Sequence, residues 1–350
     1  MAHQSLYRTH RPTTFNDVVG QEQVTRPLEE SVKSKTIGHA YLFAGSRGLG
    51  KTSVARILAR EIGCTERDVY EVDAASNNSV EDIRALTEGV YTLPFESPYK
   101  VYILDEVHML SKGAWNAFLK TLEEPPSHAV FILATTELEK VPETVQSRCQ
   151  VFEFKKPTRA ILASVIVAVA KKEGITIAPD AAELIAILAN GSYRDALSIL
   201  QRVLGAADKK LLSREVVEEL TGTPRREQVH ALVTALAAGS QGAALAAIGK
   251  AAKDDVDMTL YLELVLAALR ATLLIRYAPE LHASLADELG TDEFVALEKL
   301  AKEKGLPAGR QGITHATMLA FLTASERIRY APIPALPLEL AVLELFAEEK

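Results

Sequence analysis

The sequence is poor in cysteine, with only Cys64 and Cys149 in 350 residues. A tetrahedral zinc site needs four ligands, and no histidine lies near Cys64 to supplement it, so we expect two reduced thiols. An excess of positive charge is also missing, because the formal net charge is -7 and the isoelectric point is about 5.7. This balance argues against a protein that coats DNA through its net charge, but it leaves a local basic patch open.

Long apolar runs are missing as well. No stretch reaches the roughly 18 residues that cross a bilayer, and the longest candidate, 161–170, is too short. Residues 1–4 lack a charged segment followed by an apolar run, so no secretory signal is predicted. We therefore expect a cytoplasmic chain with no membrane partner. Hydrophobic residues make up 48% and charged residues 24% of the chain, which is typical of a folded protein of two or three domains.

The first part of the chain alternates strand-like and helix-like segments. Short apolar runs predict strands at 40–44, 69–73, 101–105, 129–135 and 150–154. Helical periodicity over 51–62 follows the first run, and Ser111 is the predicted N-cap of a helix that Pro125-Pro126 ends. Such alternation is typical of a parallel sheet that helices cover on both faces.

After Pro157 the pattern predicts helices and no further strands. The spacing predicts two capping boxes, Asp180 with Glu183 and Ser192 with Asp195. Turn residues at 222–224 predict a domain boundary, and a loop is expected at 307–312. The predicted domains are an α/β domain over 1–156, a small helical domain over 157–222 and an all-α domain over 223–350.

Residues 45–52, with the sequence GSRGLGKT, match the P-loop pattern G-x-x-x-x-G-K-[ST] between a predicted strand and a predicted helix. Backbone N–H groups of such a loop close around phosphate oxygens, and the helix N-terminus adds positive potential. Lys51 can reach the β- and γ-phosphates, and the Thr52 hydroxyl can bind Mg²⁺. An accidental glycine-rich turn is the alternative, and the strand–helix context argues against it.

Polar residues also follow two other predicted strands. Asp105 and Glu106 occupy the Walker B position of a P-loop protein, where Asp105 would hold the Mg²⁺ shell and Glu106 would polarise the attacking water. The Thr136 hydroxyl can hydrogen-bond a γ-phosphate or that water, although threonine is also an ordinary strand residue. We expect His108 to be no more than an exposed or packed histidine.

Two arginines stand next to turn or cap residues. Arg194 lies in the first turn of a capped helix, where a guanidinium and N–H groups can converge on a phosphate. Arg148 lies in the triplet Ser147-Arg148-Cys149 before the last predicted strand. An isolated arginine is usually a solvated surface group, so neither position is diagnostic by itself.

Taken together, these motifs resemble the gamma/tau subunit family of bacterial DNA polymerase III, the clamp-loader ATPases. The matching segments are 7–21, 45–52, 105–110 (DEVHML), 122–126 (LEEPP), 147–149 (SRC) and 191–197 (GSYRDAL). The resemblance is specific from about Tyr7 to Leu200. Beyond Pro224 it depends on helical character and length only.

The resemblance implies a fold, cofactors and site residues. The fold is an AAA+ module, with an α/β P-loop domain whose parallel sheet lies between helices, a small helical lid and an all-α collar for oligomerisation. The cofactors are ATP and Mg²⁺, the latter on Thr52 and Asp105. The implied nucleotide-binding residues are Arg11, Pro12, Val18, Val19, Gly45, Ser46, Arg47, Gly48, Leu49, Gly50, Lys51, Thr52, Ser53 and Arg194. The implied catalytic residues are Lys51, Glu106, Thr136 as sensor 1, Arg194 as sensor 2, and Arg148 as an arginine finger that acts in the neighbouring subunit.

The implied function is that of an ATPase motor subunit that loads a sliding clamp on primed DNA. Its partners would be other clamp-loader subunits, bound through the collar, the sliding clamp and primer–template DNA. One alternative is a non-hydrolysing scaffold subunit, against which the intact Lys51 and Glu106 argue. Another is a helicase loader or branch-migration motor, against which the Ser147-Arg148-Cys149 triplet argues. The chain shows no polymerase chemistry, although holoenzyme membership would class it with DNA-directed DNA polymerases, which are nucleotidyltransferases.

Two departures from the family pattern change the expectations. Family members usually carry a four-cysteine zinc module between the P-loop helix and the next strand, but here only Cys64 stands in the short segment 63–68. We therefore predict no structural zinc, and we expect Val69 and Val72 to hold this segment by packing on the sheet. The chain also ends at Lys350 without the long polar tail of the tau form, as expected for a gamma-like subunit or a truncated chain.

Overall fold

A computed structural model of the chain describes residues 5–206, 211–289, 291–302 and 312–347. The chain divides into two compact units, one made of Met1–Val169 and Ala186–Gln201 and the other of Ala170–Ile185 and Arg202–Lys350. The predicted domain limits at 156 and 222 stay predictions. The loop expected at 307–312 lies outside the described residues except for Gly312.

The first unit contains a five-stranded sheet in which every pair of neighbouring strands is parallel. The strands are β1 (Ala40–Ala44), β2 (Val69–Asp73), β3 (Lys100–Asp105), β4 (Ala129–Thr135) and β5 (Gln150–Glu153). They lie in the order β2-β3-β4-β1-β5. Each predicted strand is present within one residue of its expected limits, and the predicted α/β fold with a parallel sheet between helices is confirmed.

Helices connect these strands and continue to residue 206. They are α1 (Leu6–Thr9), α2 (Glu22–Lys33), α3 (Lys51–Glu61), α4 (Val80–Val90), α5 (Lys112–Glu123), α6 (Glu143–Gln146), α7 (Arg159–Lys172), α8 (Pro179–Leu188) and α9 (Tyr193–Ala206).

The predicted caps of α5 and α9 are present, because Ser111 Oγ accepts from Ala114 N and Ser192 Oγ accepts from Asp195 N, both at 3.2 Å. The cap predicted at Asp180 is wrong. Asp180 lies inside the first turn of α8, where its carboxylate pairs with Arg226 at 2.6 Å.

Alternate side chains of the strands enter two separate cores, one on each face of the sheet. Tyr41, Phe43 and Ile103 belong to the core that helices α2 and α3 cover. Leu42 and Leu104 belong to the core that helices α4 and α5 cover. Because successive strand residues point to opposite faces, a sheet buried on both faces requires the continuous apolar runs that the sequence shows.

The short segment between α3 and β2 is held differently from our expectation. The buried Asp68 carboxylate accepts backbone N–H groups of Phe95, Glu96 and Ser97 at 2.5, 3.0 and 2.9 Å. Burial alone would raise the pKa of Asp68, but these donors lower it to about 2. Val69 does pack on the core, but polar contacts of Asp68 fix the segment, and the expectation of packing alone is therefore incomplete.

The second unit is mainly helical. Its later helices are α10 (Arg214–Thr221), α11 (Arg226–Ala237), α12 (Gln241–Lys253), α13 (Met258–Tyr277), α14 (His282–Leu289), α15 (Thr291–Lys302), α16 (His315–Arg327) and α17 (Leu336–Phe346). The prediction that no strands follow Pro157 is wrong, because β6 (Thr176–Ile177) pairs in parallel with β7 (Leu211–Leu212). Two-residue strands have no period that a sequence pattern could show.

Helix α13 is the central element of this unit and contacts α11, α15 and α16. The expectation that no stretch is long and apolar enough to cross a bilayer is wrong, because α13 passes this test by length and composition. However, 56% of its apolar window is buried inside the protein. This burial is that of a core helix, so the apolar length of α13 follows from packing within the unit.

Candidate nucleotide-binding site

The P-loop connects β1 to α3 and depends on glycine at two close approaches. Gly45 and Gly48 have φ angles of 144° and 79°, which side chains rarely adopt. A Cβ atom at Gly48 would lie 2.0 Å from Ser192 Oγ, and one at Gly45 would lie 2.6 Å from the Phe154 carbonyl oxygen. The loop can therefore close against its neighbours only because these positions carry no side chain.

Lys51, the first residue of α3, is only 6% exposed. Its ammonium group donates to the carbonyl oxygens of Gly45 and Ser46 at 2.6 and 3.0 Å. Burial lowers the pKa of Lys51, while the nearby Glu106 and Asp105 carboxylates oppose this effect. The loop thus holds a point charge beside the backbone N–H groups at the start of α3, an arrangement suited to binding phosphate.

Thr52 and Asp105 come together across the sheet edge. The Thr52 hydroxyl donates to Asp105 Oδ2 at 2.8 Å, although 53 residues separate them in sequence. The parallel register aligns the carboxyl ends of β1, β3 and β4, so residues that follow these strands meet at one edge. A hydroxyl and a carboxylate at this distance are the hard oxygen ligands that Mg²⁺ prefers.

Glu106 follows Asp105 in an uncommon backbone conformation, with a φ angle of 51°. Its N–H group donates to Asp105 Oδ1 at 3.0 Å, and its side chain accepts the Thr136 hydroxyl at 3.1 Å on Oε2. Left-handed backbone at a residue other than glycine costs on the order of 1–3 kcal/mol and is concentrated at functional sites. The turn therefore fixes the direction of the Glu106 carboxylate at the end of β3.

These residues line a cleft of about 860 Å³ in the first unit. The predicted site residues along its wall are Arg11, Pro12, Val18, Val19, Arg47, Gly48, Leu49, Gly50, Lys51, Thr52, Ser53, Asp105, Glu106 and Arg194. Gly45, Ser46 and Thr136 are not among its lining residues, but Gly45 and Ser46 contact Lys51, and Thr136 contacts Glu106. The structure thus brings the motifs together, while their roles stay predictions.

Arg148 is the one predicted residue that lies apart from this group. Its guanidinium donates to Glu123 Oε1 at 2.5 Å and to the Thr144 carbonyl oxygen at 2.6 Å. The side chain is 34% exposed. Arg148 is therefore not among the described residues that line the cleft of its own chain.

Sequence reasoning missed several residues of the cleft. Tyr7 lies beneath the Arg194 guanidinium, which is 4.9 Å from its ring centre. Arg56 pairs with Glu71 on the cleft wall. Tyr193 belongs to the segment 191–197 that resembles the gamma/tau family, but no role is predicted for it. Its position directly before Arg194 is the signal that could have identified it as a residue of the cleft.

A parallel sheet in the order β2-β3-β4-β1-β5, with a P-loop, an Asp-Glu pair and a threonine at one edge, is the arrangement found in the AAA+ class of P-loop proteins. A solved structure shares this fold: the Holliday junction branch-migration motor RuvB of Thermotoga maritima has a TM-score of 0.53 and 23% identity. That match covers 65% of this chain and 79% of RuvB, and at this identity it shows the fold alone.

Family comparisons then narrow the class. The family "DNA polymerase III, delta subunit" matches residues 20–79 and 66–158, and "DNA polymerase III clamp loader subunit, ATPase lid domain" matches 162–207. The family "DNA polymerase III subunits gamma and tau domain III" matches 212–349. The chain belongs to the gamma/tau family of bacterial DNA polymerase III clamp-loader subunits.

Curated relatives agree with this assignment. The DNA polymerase III subunit tau of Bacillus subtilis is 38% identical over 314 residues, covering 84% of this chain and 55% of the relative. Subunit tau of Escherichia coli is 34% identical over 368 residues, covering 99% of this chain and 56% of the relative. The chain thus spans about half the length of these two relatives.

Proposed function

We propose that this chain is the ATP-hydrolysing motor subunit of a clamp loader that places a sliding clamp on primed DNA. The observation that carries the proposal is the 2.8 Å contact between the Thr52 hydroxyl and the Asp105 carboxylate. It joins the P-loop to the Walker B strand at the place where Mg²⁺ with ATP would bind. Family membership supports the rest of the proposal.

The residues present fit ATP with Mg²⁺. The P-loop N–H groups and Lys51 would bind the β- and γ-phosphates of the substrate, and Thr52 and Asp105 would hold the ion. When bound, Mg²⁺ neutralises charge that develops on the phosphate oxygens. Glu106 would orient the attacking water, and Thr136 would hold the Glu106 carboxylate in position. The proposed base-binding residues are Arg11, Pro12, Val18 and Val19.

Arg148 supports a division of the reaction between subunits. Its guanidinium is bound by Glu123 and Thr144, its side chain is 34% exposed, and it does not line its own cleft, so we propose that it acts on the nucleotide of a neighbouring subunit. An arginine supplied in this way stabilises the charge of the transition state. Arg194 would act within the chain, from the first turn of α9.

We further propose the domain division 1–156, 157–222 and 223–350, with the last part joining other clamp-loader subunits. The sliding clamp and primer–template DNA are the proposed remaining partners, in the cytoplasm. Classification of this subunit as a polymerase or nucleotidyltransferase has no support in its site. The proposed enzymatic activity is ATP hydrolysis alone.

Separate measurements of ATP binding and ATP hydrolysis test the proposal. Lys51→Ala should abolish ATP binding, because the phosphates lose their point charge. Glu106→Gln should keep binding and stop turnover, because only the water-orienting group changes. Glu139→Gln, at an exposed position, is the matched control and should hydrolyse ATP at the wild-type rate. Wild-type protein that binds ATP but hydrolyses none with its partner subunits would instead identify a scaffold subunit.

A further inference from the structure

His108 lies in the short 3₁₀ turn 107–109 after β3, and its side chain is 7% exposed. Its Nδ1 atom is 3.1 Å from Thr135 Oγ1 and 3.4 Å from Glu106 Oε2. Its Nε2 atom is 3.2 Å from Glu137 Oε1. The ring is therefore a packed bridge between the carboxylate of Glu106 and the carboxylate that follows β4.

The two ring nitrogens face different polar groups. The Thr135 hydroxyl, 3.1 Å from Nδ1, also donates to the Glu137 carbonyl oxygen at 3.2 Å and accepts the Glu137 N–H at 3.0 Å. Nδ1 therefore lies within reach of both the Thr135 hydroxyl and the Glu106 carboxylate. Nε2 faces the Glu137 carboxylate, whose oxygens accept hydrogen bonds.

His108 thus lies within a row of polar side chains. Lys140 pairs with Glu137 Oε2 at 2.7 Å, Glu137 Oε1 faces His108, and His108 faces Glu106. Hydrogen bonds to an ionised carboxylate are stronger than neutral ones. The row connects the turn after β4 to the Walker B glutamate.

Among the contacts of the described residues, the two polar contacts of the Glu106 carboxylate are both at Oε2, one from the Thr136 hydroxyl and one from the His108 ring. Oε1 is then the oxygen that remains for an incoming water. A catalytic carboxylate is most effective when a neighbouring side chain fixes its direction before the reaction. The left-handed backbone of Glu106 is one constraint on its carboxylate, and the contacts at Oε2 are a second. Together they favour one orientation of the carboxylate.

We propose that His108 is a positioning residue for Glu106, holding its carboxylate through Nδ1 while Nε2 is anchored on Glu137. This role depends on the proposed ATP hydrolysis, but the contacts themselves do not. The test therefore has a spectroscopic part, which needs no activity, and a kinetic part.

The spectroscopic part uses protein labelled with ¹⁵N-histidine, in which His108→Asn identifies the His108 signals among the eight histidines. Glu106→Gln should shift mainly the Nδ1 resonance of His108, and Glu137→Gln mainly the Nε2 resonance. An Nδ1 resonance that Glu106→Gln leaves unmoved would overturn the proposed contacts.

The kinetic part measures ATP affinity and turnover with the partner subunits present. His108→Ala should lower kcat by about ten- to a hundredfold, as loss of an orienting partner typically does, with nearly unchanged ATP affinity. His108→Asn places an amide N–H near the Nδ1 position and should retain more activity than His108→Gln, which replaces Nε2. His128→Asn is the matched control, since the one described hydrogen bond of the His128 side chain is to the Val90 carbonyl oxygen at 3.0 Å.

The outcomes separate the two proposals. A folded His108→Ala protein with the wild-type kcat, or equal activity of the Asn and Gln variants, would overturn the positioning role. A wild-type assembly that hydrolyses no ATP would overturn the proposed function, and the positioning role with it, whatever the spectra show. Melting temperatures of all variants distinguish a loss of kcat from a loss of fold.

Discussion

The Tyr193 hydroxyl donates a 2.6 Å hydrogen bond to the Val19 carbonyl oxygen, across 174 residues of sequence. The backbone N–H of Tyr193 donates to the Gly48 carbonyl oxygen at 3.1 Å. One residue at the start of α9 therefore joins the P-loop to the segment proposed to bind the base. Burial raises the pKa of Tyr193 to about 12, so the hydroxyl remains a donor throughout the physiological range.

Tyr193→Phe should weaken ATP binding while the fold is retained, because the ring stays and only the hydroxyl is lost. A single neutral hydrogen bond contributes about 1 kcal/mol, which corresponds to roughly a fivefold weaker affinity. Titration with a fluorescent ATP analogue measures the effect. Tyr261→Phe is the matched control, because it removes a comparable bond to the Gln228 carbonyl oxygen in the second unit. Equal affinities in wild type and Tyr193→Phe would contradict the prediction.

Loss of Arg148 should leave ATP affinity nearly intact in the isolated subunit, because the side chain is remote from its own cleft. In the assembled complex, turnover should fall by a factor on the order of 10³, or less where other groups share the transition-state charge. Mixing Arg148→Ala and Lys51→Ala subunits tests the geometry, because some interfaces then combine an intact finger with an intact P-loop. Partial activity should return, and its absence would count against action between subunits.

Asp68→Asn should lower the free energy of unfolding by about 2–3 kcal/mol, because backbone donors lose a charged acceptor. The folded pKa of Asp68, about 2, lies below its ordinary value of 3.8, so the ionised group stabilises the fold. This contribution is fully present above pH 3.8 and is lost as pH falls toward about 2. Denaturant unfolding should therefore show a larger difference between wild type and variant at pH 7 than at pH 2. Asp82→Asn, at an exposed capping carboxylate, is the control.

The protein should contain no structural zinc, although its family usually does. Within the described ranges, no group of three or more His, Cys, Asp or Glu side chains is placed to hold a metal. Cys64 donates to the Tyr99 carbonyl oxygen at 3.2 Å, and burial raises its pKa to about 11, which disfavours the thiolate that zinc needs. Elemental analysis of protein purified without a histidine tag tests this. Near-stoichiometric zinc that resists mild chelation would contradict the prediction.

Much of the first unit could be predicted from the sequence, because its signals are local. Apolar runs predicted strand limits within one residue, and the P-loop glycines marked the turn before α3. Ser111 was identified as a cap because a serine cap bonds to a backbone group only three residues away. The cap predicted at Asp180 is wrong because the partner of this carboxylate is not local. Asp180 pairs with Arg226, which is 46 residues away in the sequence.

The sequence alone predicts which residues carry the chemistry, because a P-loop lysine and threonine followed by two carboxylates at a strand end are typical of ATP-hydrolysing P-loop proteins. Only the tertiary structure decided how these groups are held. The contact of Thr52 with Asp105, of His108 with Glu137 and of Asp68 with the 95–97 backbone each depends on strand register and loop path. Local periodicity is encoded between neighbours, whereas the partner of a buried polar group is fixed only when the sheet brings distant segments together.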